Sequence, residues 1–187
     1  MLYYKKIDDS LNRSNIQHEC VISLLKEAVL TEYGLRVSES DILRTEYGKP
    51  YFPAETGIHF SLSHCIGLAV CLLSDTLCGA DAEPVRDYRE RVAARICSQD
   101  EKALLIAAEG DERDRLFTSL WTLKEAYAKA DGRGISVMGR AEFSFDNGNI
   151  CSSVPYCFKQ FSLADEGYII SICLSPDSTD KISLKKL

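Results

Sequence analysis

Leu116, Leu120, Leu123 and Tyr127 recur at i, i+4, i+7 and i+11, the spacing of one buried stripe, and predict a helix through FTSLWTLKEAYAKADGRGI at 117–135. Gly132-Arg133-Gly134 stops it. At the other end of the chain, MLYYKKI fits a short strand. Ser14 then starts a helix with Gln17 in capping-box position, and Cys20, Leu24 and Ala28, supported by Val21 and Leu25, line its apolar face until Tyr33-Gly34. IHFSLSHCIGLAVCLLS reads as two short strands around a turn near Ser63–Gly67, and LCGADAE as another strand. Val92 and Ile96 mark a helix, and Ser98 with Glu101 forms a capping box that opens a further one, broken at Gly110-Asp111. Beyond residue 135 short β-like runs alternate with turns such as Asp146-Asn147-Gly148. YIISICLS is the last clear strand, and the polar tail DSTDKISLKKL is expected to be loosely held.

FSLSHCIGLAVCLLS at 60–74 and FSLADEGYIISICLS at 161–175 both open with Phe-Ser-Leu and close with Leu-Ser. This echo predicts two similar halves meeting near residue 80, each with a helix and a few strands. A chain of 187 residues is long enough for one substantial domain or two small ones sharing a core. No apolar run reaches the ~20 residues that span a bilayer, and the N-terminus has no hydrophobic leader core, so a cytoplasmic protein without a membrane partner is expected. The net charge of −6 argues against nucleic acid as a partner, while leaving room for a local basic pocket. The eight cysteines are scattered without a CxxC pair and read as free thiols.

Candidate chemistry sits on two elements. Trp121, Glu125 and Lys129 lie four apart on a face beside the buried stripe, which fits either an exposed ion pair or one wall of a site. Asp81 and Glu83 leave the same face of a strand, where two like charges are costly unless a cation or hydrogen bonds offset them. Together Asp81, Glu83 and Glu125 form an oxygen donor set of the kind Mg²⁺ takes, with phosphate oxygens in the remaining positions. Lys49, fixed on a loop between Gly48 and Pro50, and His64, Lys124 and Lys129 are candidates for phosphate contacts. Lys124 points about 100° away from the Glu125–Lys129 face, so a solvated lysine fits it equally. No GxxxxGK[ST] or GxGxxG loop follows a strand, which removes the P-loop and Rossmann alternatives.

YGKP at 47–50, FSLSHC at 60–65, GADAE at 79–83 and WTLKEAYAKADGRGI at 121–135 stand in the order of a known family. By these motifs the chain resembles the surfactin-type 4′-phosphopantetheinyl transferases, within the holo-[acyl-carrier-protein] synthase superfamily. The resemblance implies an α+β fold of two similar, pseudo-twofold-related halves with the active site at their seam. Residues 1–78 would form the N-terminal half with the coenzyme A nucleotide contacts, and 79–187 the C-terminal half with the metal site and carrier-protein contacts. The implied reaction is Mg²⁺-dependent transfer of the phosphopantetheine arm of coenzyme A to a serine of an apo acyl or peptidyl carrier protein, releasing adenosine 3′,5′-bisphosphate. Asp81, Glu83 and Glu125 would hold the metal, with Glu125 also the candidate base. Lys129 and Lys124 would touch phosphates, and Lys49, Pro50, Ser63 and His64 the nucleotide end. The family's basic N-terminal helix is reduced here to Arg13, His18 and Lys26, and Ala82 replaces a larger aliphatic residue. An acidic carrier would need a basic face, which Arg86, Arg89, Arg91 and Arg95 could supply, unless they are a solvated helix face. With both halves in one chain a monomer is expected. The alternative is a non-enzymatic module that binds nucleotide or carrier on the same fold.

Overall fold

The computed structural model describes residues 1–8, 14–163 and 166–187. Its first unit runs β1 (Leu2–Lys6), α1 (Ser14–Tyr33), a two-strand ribbon β2 (Leu43–Arg44) and β3 (Pro50–Tyr51), then the hairpin β4 (His59–Cys65) and β5 (Leu68–Ser74). The second runs β6 (Cys78–Pro84), the helices α2 (Glu90–Ile96), α3 (Gln99–Ala107) and α4 (Gly110–Asp131), the hairpin β7 (Phe143–Asp146) and β8 (Asn149–Ser152), then β9 (Cys157–Leu163), β10 (Tyr168–Leu174) and β11 (Leu184–Lys186).

The sheet orders are β11-β1-β5-β4 and β6-β10-β9. In both, the opening strand pairs antiparallel with the last strand of the later hairpin, β1 with β5 and β6 with β10. Strand, long helix, small ribbon and hairpin thus recur in the same order and with the same pairing, in an α+β fold. The hairpins of the sequence echo do correspond, but not residue by residue. Phe60 is the second residue of β4, opposite Leu73, whereas Phe161 lies towards the end of β9 opposite Ile170. The second hairpin is thus paired in a different register from the first.

Three apolar clusters hold these layers. α1 buries Val21, Leu24, Leu25 and Ala28 against Tyr3, Phe60, Cys71 and Leu73. α4 buries Leu120, Leu123 and Tyr127 with Leu105, Val137 and Met138, as its stripe predicts. Between the sheets, Leu2, Val70 and Leu72 meet Ala80, Ala82, Ile170 and Ile172. Ser98 and Glu101 form the predicted capping box. Asn147 and Gly148 both take positive φ, 48° and 80°, as a tight hairpin turn of this handedness requires. The capping role expected of Ser14 falls on a side chain outside the described residues.

Two expectations are corrected. Gly110 does not separate α4 from what precedes it but is its first residue. The tail is not loose: β11 pairs parallel with β1, Ile182 is buried, and Lys185 reaches Glu32 at 3.1 Å. The exposed edge of β1 needs a hydrogen-bonding partner, a demand invisible in a polar sequence. All eight cysteines are free, with Cys151 and Cys157 exposed. No helix among the described residues is long and apolar enough to cross a membrane.

Candidate active site

The motif GADAE works as an alternation. Ala80 and Ala82 face the inter-sheet core, and Gly79, Asp81 and Glu83 take the opposite face of β6. A Cβ on Gly79 would lie 1.9 Å from the Ala126 carbonyl oxygen and 2.5 Å from the Ala130 nitrogen, so β6 rests directly on the backbone of α4. That approach brings Asp81 to Lys129, whose ammonium donates to Asp81 Oδ1 at 2.7 Å. Ser63 Oγ on β4 donates to the same oxygen at 2.8 Å and accepts the Ala82 N–H at 3.3 Å. Ser61, two residues before, accepts the Ala80 N–H at 2.9 Å. The edges of the two sheets are therefore stitched by serine hydroxyls. Asp81 Oδ1 has two donors, while its Oδ2 is buried and has no hydrogen-bond partner.

The other two carboxylates respond to Asp81. Burial, with Asp81 adding to it, pushes Glu83 up to about 7, against the Arg86 guanidinium that bonds its Oε2. Burial and then Asp81 also raise Glu125, with Lys129 opposing. Among the described residues no three carboxylate, imidazole or thiol groups converge into a ready-made metal cluster. Yet the donor set fits a hard divalent cation: oxygen ligands only, one of them an orphaned buried oxygen, and two neighbours whose charge is disfavoured as they stand. Glu125 and Lys129 line a cleft of about 250 Å³ with Tyr47, Ser61, Leu62 and Ile135. Lys49, Pro50, Phe60 and Gly132 separate it from a larger cleft of about 440 Å³ walled by Tyr51, Phe52 and Leu77.

The remaining candidates divide. His64 is exposed on β4, and its ring lies edge-on to His18 of α1 at 6.5 Å between centroids. Partial burial, then His18 and Lys129, lowers its pKa. Pro50 lines both clefts, but the ammonium of Lys49 is engaged by the carbonyls of Cys78 (3.2 Å) and Ala130 (3.0 Å), which leaves only its stem towards them. Ser63 is buried and donates to Asp81. Lys124 neither reaches the clefts nor meets solvent: it is fully buried and paired with Glu101 Oε2 at 2.9 Å. Arg86 is tied to Glu83, and Arg89, Arg91 and Arg95 are exposed. Arg13 lies outside the described residues. Sequence reasoning missed Gly79, Ser61 and Glu101 as parts of the site's frame. The i, i+2 spacing of Ser61 and Ser63 was the one signal available for a shared strand face.

Residues 77–173 match the family profile described as the 4′-phosphopantetheinyl transferase superfamily. A 4′-phosphopantetheinyl transferase of Bacillus subtilis is 32% identical over 87% of this chain and 75% of its own length. The 4′-phosphopantetheinyl transferase Sfp of Bacillus subtilis strain 168 is 28% identical over 86% of this chain and 75% of its own. The solved holo-[acyl-carrier-protein] synthase of Thermotoga maritima aligns over 52% of this chain and 62% of that one, at 22% identity and a TM-score of 0.43, a likeness too loose to support a conclusion. The segment matched by the family profile includes the stretch from β6 to α4 in which Lys129 reaches Asp81.

Proposed function

This chain belongs to the 4′-phosphopantetheinyl transferase superfamily, surfactin type, and from that premise we propose the reaction its site performs. Coenzyme A donates its phosphopantetheine arm to the hydroxyl of a serine on an apo acyl or peptidyl carrier protein. The serine oxygen forms the new bond to phosphorus, the bond to the bridging pyrophosphate oxygen breaks, and adenosine 3′,5′-bisphosphate leaves. Mg²⁺, held by Asp81 Oδ2, Glu83 and Glu125, would supply positive charge against the pyrophosphate as it becomes a leaving group. Lys129 binds a phosphate oxygen while anchoring Asp81. Glu125, whose pKa burial raises above the ordinary carboxylate value, takes the serine proton. His64 and His18 hold the nucleotide end of the coenzyme, and the clefts on either side of Pro50 accept its body. The exposed Arg89, Arg91 and Arg95 face an acidic carrier. One chain completes the site, so the protein acts as a monomer in the cytoplasm.

The observation that supports this most is Asp81: one oxygen fixed by Ser63 and Lys129, the other buried without a partner beside Glu83 and Glu125. Intact mass of an apo carrier after incubation with CoA and Mg²⁺ tests it. A phosphopantetheine-sized gain is expected with Mg²⁺ and none with EDTA, and Glu125→Gln should abolish the gain while leaving carrier binding. No gain across fatty-acid and peptide-type carriers, with CoA bound, would leave a non-enzymatic binding module.

A further inference from the structure

Lys124 and Glu101 are the buried charges that the transfer reaction does not use. Both side chains are fully shielded from solvent, and their charged groups pair at 2.9 Å. Glu101 Oε2 also accepts the Ser98 N–H at 2.7 Å, and Oε1 accepts the Phe143 N–H at 2.8 Å. The Lys124 ammonium donates in addition to the Ala141 carbonyl and lies 5.5 Å from the centroid of the Phe143 ring. One ion pair therefore joins the start of α3, the middle of α4 and the chain entering β7, with the hydrogen bonds a buried pair needs.

We infer that Lys124 and Glu101 are positioning residues that set the rotation of α4 about its axis. Successive helical residues are about 100° apart, so fixing Lys124 inward directs Glu125 to the cleft, and Lys129, one turn beyond Glu125, follows it onto Asp81. A Lys124 that instead reached the cleft would turn Glu125 away from it. The apolar stripe sets only the broad side of α4 that faces the core, because Leu120, Leu123 and Tyr127 are non-directional contacts. The buried pair is directional and fixes the angle.

The inference rests on the transferase reading, and the test separates the two. Transfer kinetics, CoA Kd and Tm are measured for K124M, E101Q and the double variant. K124M is expected to lower kcat by about 10²-fold through misplacement of Glu125, and to weaken CoA binding only as far as Lys129 is displaced with it. The double variant is expected to exceed K124M in both kcat and Tm, because no buried carboxylate is left unpaired. A Lys124 that contacts phosphate predicts a different pattern: CoA binding lost in K124M and recovered neither in Kd nor in kcat when E101Q is added. That result overturns the inference. If K124M does not fold, the double variant decides alone: folding with lowered kcat and retained CoA binding supports the inference, and folding with wild-type kcat, or without CoA binding, overturns it. If the wild-type protein loads no carrier, the transferase reading fails. The pairing is then judged by CoA Kd and by whether the double variant melts above K124M.

Discussion

Three lysines show how far a residue's role depends on what lies far from it in sequence. Lys129 reads as half of an i, i+4 pair with Glu125 but binds Asp81, 48 residues away. Lys49 and Lys124 read as phosphate or solvent contacts, and both turn inward to backbone carbonyls or a buried carboxylate. Burial of an ammonium is governed by partners such as Glu101 and the Cys78 carbonyl, which no local pattern reveals. The carboxylates were legible because like charges on one strand face need a reason. His64 offers a test at this scale. Its folded pKa lies below the ordinary 6.5, so the unfolded chain binds more protons there, and stability falls as pH drops from above 6.5 through the lowered value. The groups facing it are His18 from α1 and Lys129 from α4, both lowering its pKa. Melting temperature should therefore fall more steeply below neutral pH in the wild type than in His64→Gln. Saturating CoA should flatten the wild-type slope, since a bound phosphate favours the imidazolium. Equal slopes with and without CoA would remove His64 from the nucleotide end.

Among the elements, the pairing of β6 with α4 depends on a single missing side chain. In the sequence Gly79 stands out only as a letter of the GADAE motif, although the helix stripe and the strand are both legible. What the pattern could not supply was their separation, set by the 1.9 Å between an imagined Cβ and the Ala126 oxygen. Gly79→Ala must push β6 off α4, since the clash is with helix backbone and has no flexible end to yield. Overpacking of this kind costs about 1–3 kcal/mol, and more where backbone must shift. Asp81 would move with the strand, stretching its bond to Lys129 and its hydrogen bond to Ser63 together. The expected result is a folded protein with lowered Tm and transfer reduced well beyond the loss of stability. Near-wild-type transfer by a soluble Gly79→Ala protein would show that the contact of β6 with α4 is not what places Asp81.

At the scale of the molecule, the two recurring units share more than a boundary near residue 80. Leu2, Leu68, Val70 and Leu72 of the first unit complete one apolar cluster with Ala80, Ala82, Ile170 and Ile172 of the second. The tail returns from the second unit to pair with β1 of the first, and Ser61 and Ser63 hydrogen-bond the N–H groups of Ala80 and Ala82 across the gap. The echo in the sequence exposed the repetition but not this interlocking, because a register shift in β9 hides the correspondence and β11 lies outside the repeat. The site inherits the same dependence: Asp81 is supplied by one unit, and Ser63, which orients it, by the other. Neither 1–78 nor 79–187 should then fold alone, since each would expose its half of the inter-sheet cluster and, for the second, leave β11 without β1. Expressed together as separate chains, the two pieces should copurify and regain transfer, because the break removes only Cys78, the first residue of β6, and leaves Gly79–Pro84 paired with β10. Cooperative melting of residues 1–78 by themselves would mean that the seam is a docking surface between two finished domains, and Asp81 would then owe its geometry to the second unit alone.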